Sequence, residues 1–241
     1  MILKWLFDRS IALMGLLLLW PVLIVVAIMV KIKMPGGPAF FVQNRVGKGG
    51  KSFKCHKFRS MTVKHSGSTV SVAGDSRITP FGATLRHYKL DELPGLWDVL
   101  IGNMSFVGPR PDVPGYADKL EGDDRDVLKL RPGITGPATL KYRLEDEMIA
   151  HFIADVRNGQ EEFGIGGMGT TLKRSDLLKV FPNLNTISDQ ELAVWYNDNV
   201  IYPDKVRLNC YYYRNYSFFL DLKIIFATVF GFKVHFAGEE V

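Results

Sequence analysis

Ile11–Val30 is a run of twenty residues without a charge. At about 1.5 Å per residue, a helix of that length reaches across a ~30 Å hydrocarbon core. Such a chain has to satisfy a bilayer before it satisfies a globular core. A secretory signal is the competing reading. The run exceeds a usual signal region, however, and Lys33-Met-Pro-Gly-Gly37 offers no small-x-small cleavage site, so retention in the membrane is expected. Pro21 stands mid-run, where it removes a backbone donor, clashes with the preceding turn and predicts a kink. Lys4 and Arg9 flank one end and Lys31 and Lys33 the other, so charge favours neither orientation of a simple span. A kinked helix with basic residues on both sides can enter and leave by one face; a kinked single-pass helix is the alternative.

Over 241 residues there is room for one core and an extra module. The net charge of +5 is uneven: from Met1 to Val70 the only acid is Asp8, against basic residues from Lys4 to Lys64. A cationic surface beside a membrane segment suits anionic lipid headgroups or a phosphorylated substrate. Nucleic acid would suit the charge equally, but no binding module is recognisable and none is expected to bind. Cys55 and Cys210 are isolated, which implies neither a disulfide framework nor a metal cluster and points to a reducing cytoplasmic setting.

Met34-Pro-Gly-Gly-Pro38 breaks the first helix. Ala39–Val46 and Ser52–Ser60 read as strands of a hairpin joined by Gly47-Lys-Gly-Gly50. Phe53, Cys55, Lys57 and Arg59 then share one face, with Lys54, His56 and Phe58 on the other. Gly50-Lys51-Ser52 mimics the end of a phosphate-binding loop, but the first glycine of that motif would fall at Arg45 and the segment leads into a strand, so that reading is rejected. His65–Gly74 reads as a loop beside the site, able to act as a lid. Helices are predicted over Pro80–His87, from Asp91 to Gly102, and over Glu145–Asn158, the last stopped by Gly159. Asp112 to Asp126 is partly helical, Leu130–Gly136 is a turn-rich connection, and Gly164–Gly169 is a link. Ser188-Asp-Gln-Glu191 forms a capping box. Aromatic and basic residues interleave from Tyr202 to Phe232, which suits a membrane interface as well as a core helix.

The most informative stretch runs from Arg86 to Pro111. Asp91 and Glu92 precede the apolar set Leu93, Leu96, Trp97 and Leu100, which gives the buried face of the predicted helix. With Asp91 as N-cap, Pro94 falls in the first turn and the helix dipole favours both carboxylates ionised. Arg110 is clamped between Pro109 and Pro111, and a rigid guanidinium can grip a phosphate with two parallel bonds. A carboxylate pair can hold a divalent cation or attack an electrophile. Lys57 and Arg59 add a cationic wall. The histidines show no metal spacing, and no Ser-His-Asp set stands out.

Phe40-Phe41-Val-Gln43-Asn-Arg45-Val-Gly47 and Lys57-Phe58-Arg59-Ser60-Met61 resemble the bacterial sugar transferase family. Asp75-Ser-Arg77-Ile-Thr79, Leu85-Arg86, Leu90-Asp91-Glu92-Leu93-Pro94-Gly-Leu-Trp97 and Met104-Ser105-Phe-Val-Gly108-Pro109-Arg110-Pro111 continue the match. Arg131-Pro132-Gly133-Ile134-Thr135-Gly136 and Tyr202-Pro203-Asp204-Lys205 complete it in order. The likeness runs from the membrane segment to about Lys141 and resumes near Tyr196.

The resemblance implies a monotopic phosphoglycosyl transferase at the cytoplasmic face of the bacterial inner membrane. Such an enzyme moves a sugar phosphate from a UDP-sugar to a polyprenol phosphate and releases UMP at the start of glycan assembly. By position, Asp91 resembles the nucleophile that forms a covalent phosphosugar intermediate, and Glu92 its partner; together they would hold Mg²⁺. Arg110 matches a phosphate-binding arginine, while Lys57 and Arg86 match basic residues around the site; Arg59, of the cationic wall, is expected to bind substrate with them. The implied fold is α/β and monotopic, with a re-entrant helix over 1–34, a hairpin-containing catalytic core over 35–147, an insertion over 148–190, and a C-terminal core with an interfacial helix over 191–241. Family members often carry Ser before the membrane proline; Trp20 stands there instead. The insertion's role is open between donor selectivity, pairing into a homodimer and surface decoration. A membrane-tethered protein that binds phosphorylated ligands or nucleic acid through its basic face is the competing function.

Overall fold

The computed structural model describes residues 2–63, 76–164 and 171–241. It is a mixed α/β protein led by a long apolar helix, α1 (Ile2–Lys33), which stays helical through Pro21. By length and composition α1 can cross a membrane, and most of its surface is uncovered, which marks it as membrane-associating. The buried positions fall at both ends. Lys4, Asp8 and Ala12 form one stripe, spaced by four residues; Val26 and Val30 continue to Met34 in another. The charges in the first stripe are matched: Lys4 Nζ lies 2.7 Å from Asp221 Oδ2, and Asp8 Oδ2 accepts from Ser105 Oγ at 2.7 Å. Burying charges without such partners would cost several kcal/mol each, about 3–5 for a broken pair.

A hairpin follows, β1 (Phe40–Val46) antiparallel to β2 (Ser52–Phe58), with Phe40 opposite and stacked on Phe58 at 5.1 Å. Its turn uses positive φ at Gly49 and Gly50. Phe58 packs with Val26, Val30, Met34 and Leu85, so the end of α1, β2 and α2 (Pro80–His87) share one small core. Thr79 caps α2 by accepting from Gly82 N. Next comes α3 (Gly95–Ile101), which lies against α1 where Ala12 and Gly15 keep the surface low; a Cβ on Gly15 would stand 3.4 Å from Leu96.

Residues 133–135, expected as part of a turn-rich connection, form a strand. β3 (Ser105–Val107) pairs in parallel with β4 (Gly133–Thr135). The approach depends on missing side chains: a Cβ on Gly133 would lie 2.2 Å from Gly108 N, and one on Gly108 2.2 Å from Arg131 O. Between these strands, Ala117–Lys119 and Gly122–Lys129 are 3-10 turns, which meets the partly helical expectation.

The remainder builds the largest core. α4 (Pro137–Lys141) leads to α5 (Glu145–Arg157), whose acidic first turn complements its dipole and which ends before Gly159 at φ 79°. β5 (Glu162–Gly164) pairs with β6 (Thr171–Lys173), then α6 (Arg174–Val180) and α7 (Asp189–Tyr196) follow. The Ser188–Glu191 capping box forms as expected. A π-turn at Asn197–Ile201 runs into α8 (Tyr202–Arg214), and Ser217 caps α9 (Phe218–Phe230). β7 (His235–Phe236) and β8 (Glu239–Glu240) close the chain. Ile149, Phe152, Leu177, Leu192, Ile201 and Leu208 are all buried in one cluster, so residues 148–190 share a core with the C-terminal helices. Phe219, Phe226, Val229 and Phe230 leave α9 with an exposed aromatic face. The predicted loop at 65–74 and most of the predicted 164–169 link lie outside the described residues; Gly164 itself belongs to β5.

Candidate active site

The Asp91–Glu92 pair sits in a 3-10 turn, Leu90–Glu92, and not at the start of an α-helix; α3 begins at Gly95. Lys89 enters the turn at φ 55°, a left-handed conformation that is costly for a side chain with a Cβ. Leu93 N then bonds to Leu90 O and Leu96 N to Leu93 O, i to i+3, because Pro94 supplies no donor for regular winding. Tight winding also turns Trp97 outward: the expected buried face keeps Leu96, while Trp97 is half-exposed.

The two carboxylates live in opposite environments. Glu92 Oε1 receives Lys57 Nζ at 2.6 Å and Arg110 Nη2 at 2.9 Å. Burial pushes the Glu92 carboxyl up, but Arg110 and Lys57 outweigh it and hold the group well below the usual carboxylate range. Asp91 is buried at 7% exposure, and among the described residues its Oδ1 has no hydrogen-bond partner. Burial first, then the charge on Glu92, raise the Asp91 pKa against the pull of Lys57, Arg86 and Lys89. Dipole stabilisation of both carboxylates, expected from an N-cap position, is therefore replaced by desolvation at Asp91 and ion pairing at Glu92.

Lys57 and Arg110 meet on Glu92, from β2 and from the loop after β3. Arg86 stands by Asp91 and donates through Nε to Ser60 Oγ at 3.2 Å. Arg59 does not join them. β2 ends at Phe58, and the buried Arg59 guanidinium turns to Met34 O and to Pro38 O, the latter at 2.8 Å, where it closes the end of α1. The expected two-residue wall is thus divided: Lys57 faces the carboxylates and Arg59 holds the helix.

Sequence reading missed several groups. Arg45 Nη1 donates to Pro111 O at 3.0 Å and steadies the Arg110 loop from β1. Asp112, raised to about 6 by burial against the pull of Lys205 and Arg45, accepts from Tyr202 Oη at 3.3 Å. His56 pairs with Asp98 of α3, with Nδ1 at 2.8 Å from Oδ1. The alternation of β2 had set His56 on the face opposite Lys57, yet both line one cleft with Glu92 and Arg110. Forty-two residues separate His56 from Asp98, and no spacing pattern could have linked them.

Chemically, the cluster offers an unpartnered carboxylate oxygen beside cations that another carboxylate has already organised. Among the described residues no group of three or more His, Cys, Asp or Glu gathers. Asp91 and Glu92 are the residues that could hold a divalent cation. Two carboxylates suffice where substrate phosphates complete the shell, and the orphaned Asp91 Oδ1 fits such a ligand.

A membrane-associating helix thus accompanies a carboxylate and cation cluster whose chemistry suits anionic groups. Residues 1–159 match the bacterial sugar transferase family, and the chain belongs to it. It is similar to a putative undecaprenyl-phosphate N-acetylgalactosaminyl 1-phosphate transferase of Bacillus subtilis (strain 168), 42% identical over 122 residues that cover 50% of this chain and 68% of that protein. A UDP-glucose:undecaprenyl-phosphate glucose-1-phosphate transferase of Xanthomonas campestris pv. campestris is 44% identical over 139 residues, 55% of this chain and 28% of that one. A protein of the same description from Klebsiella pneumoniae is 33% identical over 235 residues, 95% of this chain and 40% of its own length. The chain thus spans less than half of the Xanthomonas and Klebsiella relatives.

Proposed function

We propose that this protein transfers a sugar 1-phosphate from a UDP-sugar to a membrane polyprenol phosphate and releases UMP. The observation that carries the reading is the orphaned Asp91 Oδ1, a buried carboxylate oxygen within electrostatic reach of Lys57, Arg86 and Lys89 and, more weakly, of Arg110. Asp91 attacks the sugar-bearing phosphorus; the pyrophosphate P–O bond breaks and its electron pair leaves on UMP. An oxygen of the acceptor phosphate then attacks the same phosphorus and expels the Asp91 carboxylate. Lys57 and Arg110, already aimed by Glu92, offset the charge that grows on the phosphoryl oxygens. Arg86, braced on Ser60, faces the nucleophile. Mg²⁺, when bound by Asp91, Glu92 and phosphate oxygens, supplies further neutralisation of the pyrophosphate.

The re-entrant reading of α1 is supported by its two buried stripes. Lys4 and Asp8 tie the N-terminal half to α9 and β3, while Val26 and Val30 tie the C-terminal half to β2 and α2. A helix of about 48 Å, at ~1.5 Å per residue, cannot stand straight across a bilayer with both ends on one domain. Both ends then lie on the cytoplasmic face, and the exposed aromatics of α9 rest at the lipid interface.

Purified protein mixed with undecaprenyl phosphate, Mg²⁺ and a panel of UDP-sugars should release UMP with at least one donor, and only when acceptor is present in excess of enzyme should release continue beyond one turnover. Failure with every UDP-sugar would defeat the proposal. Cysteines at the exposed positions Ile2 and Lys33 should both react from one side of sealed vesicles; labelling from opposite sides would establish a span.

A further inference from the structure

The His56–Asp98 pair is outside everything used above. Asp98 is fully buried, and both of its oxygens serve one residue: Oδ2 accepts from His56 N at 2.8 Å, and Oδ1 lies 2.8 Å from His56 Nδ1. With Nδ1 committed to the carboxylate, Nε2 is the ring nitrogen left for a ligand. The imidazole is partly exposed and lines the cleft shared by Lys57, Glu92 and Arg110. Met104 and Ile134 add apolar wall to that cleft, which suits a flat heterocycle attached to an anionic phosphate. Asp91 does not line it, whereas its neighbour Glu92 does. The cleft is thus reached by Glu92, the chain neighbour of the nucleophile, and not by the attacking carboxylate itself, which leaves its cations and imidazole to the departing group.

We propose that His56, aligned by Asp98, donates a proton to the nucleoside monophosphate as it departs; this role rests on the transfer reaction proposed above. As Asp91 bonds to the sugar-bearing phosphorus, the P–O bond to the bridging oxygen breaks. That oxygen keeps the electron pair and takes the proton from Nε2 of the imidazolium, and solvent restores the proton through the exposed ring. Asp98 stabilises the imidazolium by its contact at Nδ1, as a buried carboxylate does in a hydrolytic triad. A phosphate monoester has a second pKa of about 6 and an ordinary imidazole one of about 6.5. Such a match is where general acid catalysis is most effective. The titratable and charged groups around the ring are Asp98 from α3, which contacts it, and, lining the same cleft, Arg45 from β1, Cys55 and Lys57 from β2, Glu92 from the 3-10 turn and Arg110 from the loop after β3; β4 contributes Gly133 and Ile134. The three cations in that set suit the phosphate, and the imidazole is the group among them whose free ring nitrogen can give up a proton.

A merely structural pair, pinning β2 to α3, predicts something different. Single-turnover UMP release without acceptor isolates the first half-reaction. For the wild type the burst should show an alkaline limb, because only a protonated ring can donate to the leaving oxygen. His56→Gln should slow the burst by about 10²-fold at the wild-type optimum and erase the alkaline limb. Transfer from the isolated phosphosugar adduct to acceptor should change by less than about twofold. Asp98→Asn keeps the shape of the pair but forces an amide N–H onto Nδ1, and should slow the burst similarly without lowering the melting temperature. UMP itself serves as a second probe: added to protein with ¹⁵N-labelled histidine, it should shift the His56 Nε2 resonance. An alkaline limb that survives His56→Gln, equal losses in both half-reactions, or an Nε2 resonance indifferent to UMP would each overturn the assignment. Wild-type protein that shows the Nε2 shift but never releases UMP from a UDP-sugar would overturn the transfer reaction, and the donor role with it, while retaining the nucleotide contact.

Discussion

Asp91 and Asp204 are both buried aspartates surrounded by cations, and they differ in one respect that separates chemistry from architecture. Asp204, fully buried on α8, spends both oxygens: Oδ2 receives Lys141 and Tyr142 Oη at 2.8 Å, and Oδ1 receives Arg207 Nε at 2.8 Å. Glu239 from the C-terminal hairpin pairs with the same Lys141 at 2.7 Å and also meets Arg207. Burial would raise the Asp204 pKa, but Lys141, Tyr142 and Arg207 together bring it below the ordinary value. Asp91 has cations within electrostatic reach, yet its Oδ1 lacks a hydrogen bond and its pKa goes up. A network with every oxygen satisfied rigidifies; one with a buried oxygen left over holds reactivity in reserve.

Exchanging each carboxylate for its amide should break the comparison most cleanly. Asp91→Asn removes the attacking oxygen, so turnover and covalent labelling from a UDP-sugar should fall below detection. Its melting temperature should hold or rise, because an unsatisfied buried charge is gone. Asp204→Asn leaves Lys141 and Arg207 short of an anion in the interior. It should cost about 3–5 kcal/mol of stability in denaturant unfolding, the range for breaking a buried pair, with turnover of the folded fraction nearly intact. Wild-type rates in Asp91→Asn would remove it as nucleophile.

The contrast also marks what could be read from the chain. The hairpin, α2, α5 and the Ser188 box were legible because each is written locally, in strand alternation, a glycine turn or stop, a proline at a helix start or an S-x-x-E box. The carboxylate pair and the proline-clamped Arg110 were legible as residue types. Their environment was not. Lys57 meets Glu92 from 35 residues away and Asp98 meets His56 from 42, and only tertiary packing makes those pairs. Arg59 misled because strand alternation holds only as long as the strand: β2 stops at Phe58 and the next side chain belongs to α1. The parallel pair β3–β4 was hidden because three residues with two glycines nearby read as a turn, although close backbone approach is what those glycines permit.

Removing one cation from each network should produce a smaller difference of the same kind. Lys57→Ala leaves Glu92 still paired with Arg110, so folding should change little, while turnover should fall by about 10²-fold through loss of a preorganised donor. Lys141→Ala strips the ligand shared by Asp204 and Glu239 and should loosen the β7–β8 hairpin. Faster hydrogen exchange at Val234 and Val241, which bond to each other across its base, would report this, with little change in kcat. A stability loss in Lys57→Ala as large as that in Lys141→Ala would erase the distinction between the two networks.

Acid titration should give the smallest effect, and its sign is set by the opposed pKa directions. Asp91 is raised above the ordinary 3.8, and Asp112 stands at about 6. Each binds a proton in the folded state before it would in the unfolded one, so stability from these groups is present below pH 3.8 and is lost as pH rises through their folded values. Asp204 is depressed, so its contribution is present above pH 3.8 and is lost as pH falls through its lower folded value. As pH falls toward 3.8, activity should therefore fall as Asp91 protonates above the ordinary carboxylate value, while the melting temperature holds or rises slightly as Asp112 takes up its proton from about pH 6. Below 3.8 the melting temperature should drop as Asp204 takes up its proton. Asp112→Asn should flatten the gain between pH 6 and 3.8 and leave the loss below it. Activity and melting temperature falling together from pH 6 downward would mean that the two aspartates titrate alike, and the comparison would fail at its root.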